Sequence, residues 1–208
     1  SVNEFLKPFV EEFKILQDDG VLINDVKVFL QFSKLICDAP AKSYVLCIKG
    51  HTGYHSCTKC IDEGEFTNGR MTFPNLNKPL RTDNSFKNKQ DEDYHLSISP
   101  LEKLNIGLVT QVPLDYMHLV SLGTMKRLLV FWMKGKKDIR IADNNLQQLN
   151  KNIEVFKHNL PVEFSRQPRN FMEVERFKAT EFRQLLLYSG PVVLKNILSQ
   201  EKFIHFMA

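Results

Sequence analysis

The stretch Ile36-Cys37-Asp38-Ala39-Pro40-Ala41 is followed, nineteen residues past its acid, by Cys57-Thr58-Lys59-Cys60. An apolar run that closes in a carboxylate and turns at a proline into a helix sets that acid at the edge of a core. Two cysteines on one tight turn supply half of a tetrahedral zinc site. Together they restrict the chain more than either does alone, because an acid beside a metal-braced turn suits a fold built to hold charge at a sheet edge.

The elements around this stretch follow from apolar spacing. Val2, Phe5, Leu6, Phe9, Val10, Phe13 and Leu16 recur at helical intervals, so residues 2–17 are predicted to form a buried helical stripe, with Pro8 kinking it or moving its start towards Lys7. Val26, Val28, Leu30 and Phe32 alternate with polar residues and run into Leu35-Ile36-Cys37, which predicts a long strand ending at Asp38. A short helix over 41–49 is expected next, packing Val45 and Ile48 and capped by Gly50. A strand at 70–73 precedes a turn-rich segment from Pro74 to Tyr94, which reads as a loop or linker.

Residues 114–134 carry the strongest helical pattern, with Asp115 and His118 three apart in its first turn. A second helix is predicted over 144–158, and a third over 180–189, capped by Gly190-Pro191 and resumed at 192–198. The expected organisation is a partial core over 1–73, a linker over 74–112, a helical insertion over 113–170 and C-terminal helices over 171–208. No window has the eighteen or more apolar residues of a membrane span. The four cysteines, two of them inside apolar runs, read as thiols plus a metal pair. From Met125 onward there are fifteen Lys and Arg against eight Asp and Glu, whereas residues 1–124 hold thirteen against sixteen. A basic second half is the footprint of a phosphate-binding face, and equally of a solvated basic surface.

The chemistry-bearing residues each have a plainer reading. Cys57 and Cys60 need two further ligands: His118 is the preferred candidate, with Asp115 as ligand or orienting partner, while His51, His55 and His95 lie on loops. The competing reading is a redox pair or ordinary thiols. Asp38 is either a ligand for catalytic magnesium or the N-cap of the helix that follows it, and the two roles are compatible.

Four blocks carry a family resemblance: Ile36 to Ala41; Lys49-Gly50-His51-Thr52-Gly53-Tyr54 with Cys57 and Cys60; Pro113-Leu114-Asp115-Tyr116-Met117-His118-Leu119 with Gly123; and Arg176 to Arg183 before Tyr188-Ser189-Gly190-Pro191-Val192-Val193-Leu194. In this order they resemble the transposase domain of CACTA-type cut-and-paste DNA transposons, in the form found in insect genomes. The resemblance implies an α/β fold, an RNase H-like core with a helical insertion. It implies an Asp, Asp, Glu triad using Mg²⁺ or Mn²⁺ to cut and rejoin DNA ends, a structural Zn²⁺, a homo-oligomer in the full-length protein, and a nuclear location. Neither a small-molecule substrate nor a membrane is implied. Asp38 matches the second Asp, and Glu181 is the choice for the Glu, with Glu173 and Glu175 as rivals. The layout, a second Asp and then C-x-x-C with distant histidines completing the zinc, is similar to that of the recombinase that assembles antigen-receptor genes.

The chain departs from the family at the first Asp: upstream of Asp38 only Asp18, Asp19 and Asp25 are present, none closing an apolar strand. The expectation is an incomplete or degenerate copy that does not catalyse strand transfer alone. Lys126, Arg127, Lys136, Lys137, Arg166 and Arg169 are the expected phosphate contacts. The alternatives are a non-enzymatic, zinc-stabilised DNA- or protein-binding module of the same origin, and a zinc enzyme with an open fourth position.

Overall fold

A computed structural model describes residues 1–208 as a mixed helix and strand fold in two compact units, Ser1–Asp115 and Tyr116–Ala208. The acidic half of the charge pattern coincides with the first unit and the basic half with the second.

In the first unit, α1 (Val2–Asp18) starts at a capping box in which the Ser1 side chain accepts from the Glu4 amide and the Glu4 carboxylate reaches back to Ser1. The helix runs through Pro8 from its true start at Val2. Only Val10 of the predicted stripe is buried, and Phe5 and Phe9 are exposed. A hairpin follows, β1 (Val21–Ile23) paired antiparallel with β2 (Val26–Val28) across Asn24 and Asp25, both at positive φ as a tight primed turn requires.

The long strand expected to run into Asp38 is not formed. β2 ends at Val28, Ile36 is 67% exposed, and residues 29–37 take no ladder partner. Their backbone is tied down singly: the Leu35 amide donates to the Gln111 carbonyl at 2.8 Å, and the Gln111 side chain donates to the carbonyls of Phe32 and Ser33. Alternating residues supply strand propensity, but a strand forms only where a second chain segment presents its own backbone groups.

α2 (Ala39–Leu46) ends at Cys47 in the left-handed region, short of Gly50, and buries Val45 and Leu46, with Ile48 buried just beyond it. β3 (Glu65–Thr67) and β4 (Arg70–Thr72) form a second hairpin over the Asn68-Gly69 turn. The segment expected as a linker lies inside the first unit. Its helix α3 (Asp83–Lys87) begins at a Thr82/Ser85 capping box, and Phe86 and Tyr94 are buried with Leu101, Leu104 and Val112 in the core beneath α1 and α2. The two units meet in sequence at 115/116, where the four-part organisation expected from sequence has its third part beginning at 113.

The second unit opens with a π-helical stretch, Met117–Met125, that continues as α4 (Lys126–Lys134). Asp115 is the residue immediately before this helix, and His118 lies in its first turn. α5 (Asp143–His158) buries Leu149 and Ile153 as the spacing predicts. The Asn150 side chain then accepts from the Phe171 amide, fixing a 3₁₀ turn over Phe171–Arg176.

Next come α6 (Ala179–Gln184), a π turn (Leu185–Ser189) and α7 (Gly190–Val193), which are one uninterrupted helical run. Gly190-Pro191 therefore does not cap a helix. The wider π turn relieves the collision that a proline ring otherwise has with the carbonyl four residues back. A Cβ at Gly190 would collide with the Leu185 carbonyl oxygen and meet Phe206 Cζ at 2.5 Å, so glycine alone fits between the π turn and α8 (Gln200–Met207). Trp132, Leu149, Phe171, Phe182, Leu194 and Phe206 form the core of this unit. No helix is long and apolar enough to cross a membrane.

Candidate functional site

The cysteine turn is clasped from the opposite strand of chain. Residues 59–61 run antiparallel to 79–81, with the Ile61 amide on the Pro79 carbonyl and the Arg81 amide on the Lys59 carbonyl. The buried Arg81 side chain donates through Nε to the Cys57 carbonyl at 2.8 Å and through Nη2 to the Asp91 carboxylate at 2.6 Å. Its guanidinium also lies 3.7 Å from the centre of the Tyr94 ring. A buried cation is tolerated because a buried anion and a ring face replace its water.

Within this clasp the Cys57 and Cys60 sulfurs stand 3.0 Å apart, and the Cys60 amide donates to Cys57 Sγ. Burial, the hydrogen bond to Cys57 and the charges of Cys57 and Asp62 push the Cys60 thiol up to about 11, against the pull of Arg81. Tetrahedral zinc with bonds of about 2.3 Å sets two sulfurs about 3.8 Å apart, so the pair fits half a zinc site after a small opening.

No third His, Cys, Asp or Glu of the first unit joins these thiols. His55 is turned to acids, its Nδ1 3.4 Å from Asp91 and its Nε2 3.9 Å from Asp93. His95 packs edge-on to Phe86 and Tyr94 with both ring nitrogens lacking hydrogen bonds, and burial with the charge of Lys89 pushes it down to about 4. Asp115 closes the first unit, while His118 is exposed in the opening helix of the second.

Asp38 caps α2. Its Oδ1 accepts from the Ala41 amide at 2.8 Å, with an extended backbone at the cap and Pro40 in the first turn. Nearby, three lysines hold a stretch of chain without regular hydrogen bonds. Lys34 donates to Thr110, Lys42 to Pro113, and Lys59 to Val109 and Val112, each at a backbone carbonyl. Burial lowers the pKa values of Lys42 and Lys59, which spend their charge on carbonyls leading up to Asp115.

In the second unit Glu181 is buried and fully engaged. Arg169 donates through Nε to Oε1 at 2.7 Å and through Nη2 to Oε2 at 2.9 Å, and the Lys178 amide donates to Oε2 at 2.8 Å. Burial would raise this carboxyl, but those hydrogen bonds and the charges of Arg169 and Arg166 outweigh it and hold it below the usual carboxylate range. A divalent cation at Glu181 would have to displace Arg169, so the residue as placed does not fit a metal ligand. Glu173 is 3.8 Å from Arg169 and half-exposed, and Glu175 pairs with Lys134 at 2.8 Å. Asp38 and Glu181 belong to different units.

Beside Glu181 opens a cavity of about 900 Å³ lined by Lys126, Arg166, Arg176, Lys178 and one acid, Glu175. Of the expected phosphate contacts, Lys126 and Arg166 stand on its wall, whereas Arg169 is spent on Glu181. Arg176 and Lys178 escaped sequence reasoning, although both sit inside the last of the resemblance blocks or next to Glu181 itself. Four cations around one concavity give a field no single one supplies, because the low-dielectric walls focus it.

Comparison of the chain with known protein families, with curated proteins and with solved structures gives no match.

Proposed function

We propose that this chain is a DNA-binding domain of cut-and-paste transposase origin, RNase H-like in ancestry, whose second unit grips the phosphate backbone and which does not itself cleave or join strands. The observation that carries this reading is the cavity of about 900 Å³ whose wall bears four cations and one acid, on the unit that holds the basic half of the chain. Sequence-independent DNA affinity comes mainly from such cations releasing counterions from phosphates. The four sequence blocks supply the transposase lineage, and the ancestral reaction would be transfer of a phosphodiester between strands.

The absence of chemistry is supported by what Glu181 does and not by Asp38, because the cap that Asp38 makes is compatible with a metal on its other oxygen. Asp38 spends an oxygen on capping α2, and Glu181 spends both on Arg169 and the Lys178 amide. Zinc, where Cys57 and Cys60 bind it, serves as a brace for their turn and contributes to folding. A nuclear location follows from the substrate.

The test is to incubate the purified chain with labelled duplex DNA in Mg²⁺ or Mn²⁺. The expected result is a salt-sensitive complex and intact strands. Cleavage that disappears in Asp38→Asn would overturn the non-catalytic part of the reading, and absence of any complex would overturn the whole of it.

A further inference from the structure

The cysteine turn of the first unit carries chemistry that DNA binding does not use. Cys57 and Cys60 are free thiols, both partly exposed, with their sulfurs 3.0 Å apart. A disulfide bond is about 2.05 Å long, and two sulfurs on one zinc stand about 3.8 Å apart, so the pair is poised between the two states. They differ in what else they require. Zinc asks for two further ligands, and no group of three His, Cys, Asp or Glu gathers around these thiols. A disulfide asks for nothing beyond the two sulfurs.

The backbone is already fixed for that closure. The Arg81 side chain holds the Cys57 carbonyl, while the hydrogen bonds of Lys59 and Ile61 to residues 79–81 grip Cys60 from either side and bridge it to Leu80. The Cys60 amide donates to Cys57 Sγ at 3.4 Å, which keeps the first sulfur over the second residue. The remaining gap of about 1 Å is within reach of the two side-chain torsions. Cys37 and Cys47 have no such arrangement: Cys47 is buried with its Sγ on the Tyr44 carbonyl at 3.8 Å, and Cys37 lies just ahead of Asp38.

We propose that Cys57 and Cys60 are a dithiol exchange site for low-molecular-weight disulfides, closing to an internal disulfide in the metal-free chain and so excluding zinc from the turn. Cys57 loses its proton to solvent and attacks one sulfur of the small disulfide, whose S–S bond breaks and releases one small thiol. Cys60 then loses its proton and attacks Cys57 Sγ, which releases the second small thiol and forms the internal bond. Two protein thiols are oxidised and one small disulfide is reduced to two thiols. Holding both sulfurs in place raises their effective concentration, which favours the internal bond over two separate mixed disulfides. The site stands or falls independently of DNA binding.

The experiment equilibrates the 208-residue chain, stripped with EDTA, in glutathione buffers from reduced to oxidised, then blocks free thiols and maps them by mass spectrometry. Trypsin cuts after Lys59, between the two cysteines, so their peptides stay joined only where the disulfide has formed. The expected result is a joined pair of peptides while Cys37 and Cys47 still take the blocking reagent. The equilibrium for closure should exceed that of the same chain in strong urea on the order of tenfold, which separates a preset pair from any C-x-x-C. Cys60→Ser should accumulate the glutathione adduct on Cys57, and the oxidised wild type should take up no zinc while the reduced chain does. Separate glutathione adducts on both cysteines, closure no more favourable than in urea, or zinc uptake undiminished by oxidation would each overturn the proposal.

Discussion

Replacing Arg169 tests whether Glu181 is a structural anion. The Glu181 side chain is 3% exposed and that of Arg169 34%, joined by two hydrogen bonds of 2.7 and 2.9 Å. Stranding one member of a fully buried pair costs about 3–5 kcal/mol. Arg169 is one-third exposed, so water already screens the pair, and Arg169→Met should cost about 2–3 kcal/mol. For a unit the size of residues 116–208 that corresponds to a fall in melting temperature of roughly 10–20 °C. The assay is built in, because Trp132, the single tryptophan, is buried in the core of this unit and its fluorescence reports unfolding there alone. Glu181→Gln should cost less, and Arg169→Met with Glu181→Gln should cost less than the two separately, since the stranded charge is gone. The carboxyl is held below its ordinary value, so this stability is present above that value and is lost as the pH falls through the lowered one. Additive single costs, or a change under about 0.5 kcal/mol in Arg169→Met, would refute the anchoring role and return Glu181 to the set of free acids.

Other consequences follow from single residues. Gly190→Ala brings a methyl against the Leu185 carbonyl oxygen and to within 2.5 Å of Phe206 Cζ and should cost about 1–3 kcal/mol by denaturant titration of Trp132 fluorescence; an unchanged midpoint would show that neither the π turn nor α8 is held in place. His95 titrates near 4 in the fold against an ordinary value near 6.5, so the unfolded chain binds the extra proton first. The first unit should hold its stability above pH 6.5 and lose up to about 1.4 kcal/mol per pH unit as pH falls towards 4, a slope that His95→Phe should flatten. Metal analysis by mass spectrometry should find zinc in the purified chain and less in Cys57→Ser; none in either would leave the pair as ordinary thiols.

Much of the local structure was legible in the sequence because its causes are local. The helix over 144–158 follows from apolar spacing, and the capping role of Asp38 follows from the Ala39-Pro40 sequence after it. What escaped the sequence depends on partners far along the chain. The 26–37 run has the alternation of a strand and lacks a neighbour to pair with. The polar segment from Pro74 to Tyr94 reads as linker because Arg81 and Asp91 look solvated, yet they bury each other against Tyr94. Gly190-Pro191 reads as a stop, but a π turn carries the helix through it. Glu181 reads as a catalytic acid until Arg169, twelve residues earlier, is found on both its oxygens.

The cation-lined cavity of the second unit is proposed to grip phosphates, and the salt dependence of duplex binding measures that grip directly. Plotting log affinity against log salt for the wild type, Arg166→Gln and Lys178→Gln should show each substitution weakening binding alike on unrelated sequences and lowering the slope by about 0.9, one released counterion per lost contact. Slopes that stay at the wild-type value in both variants would contradict the account.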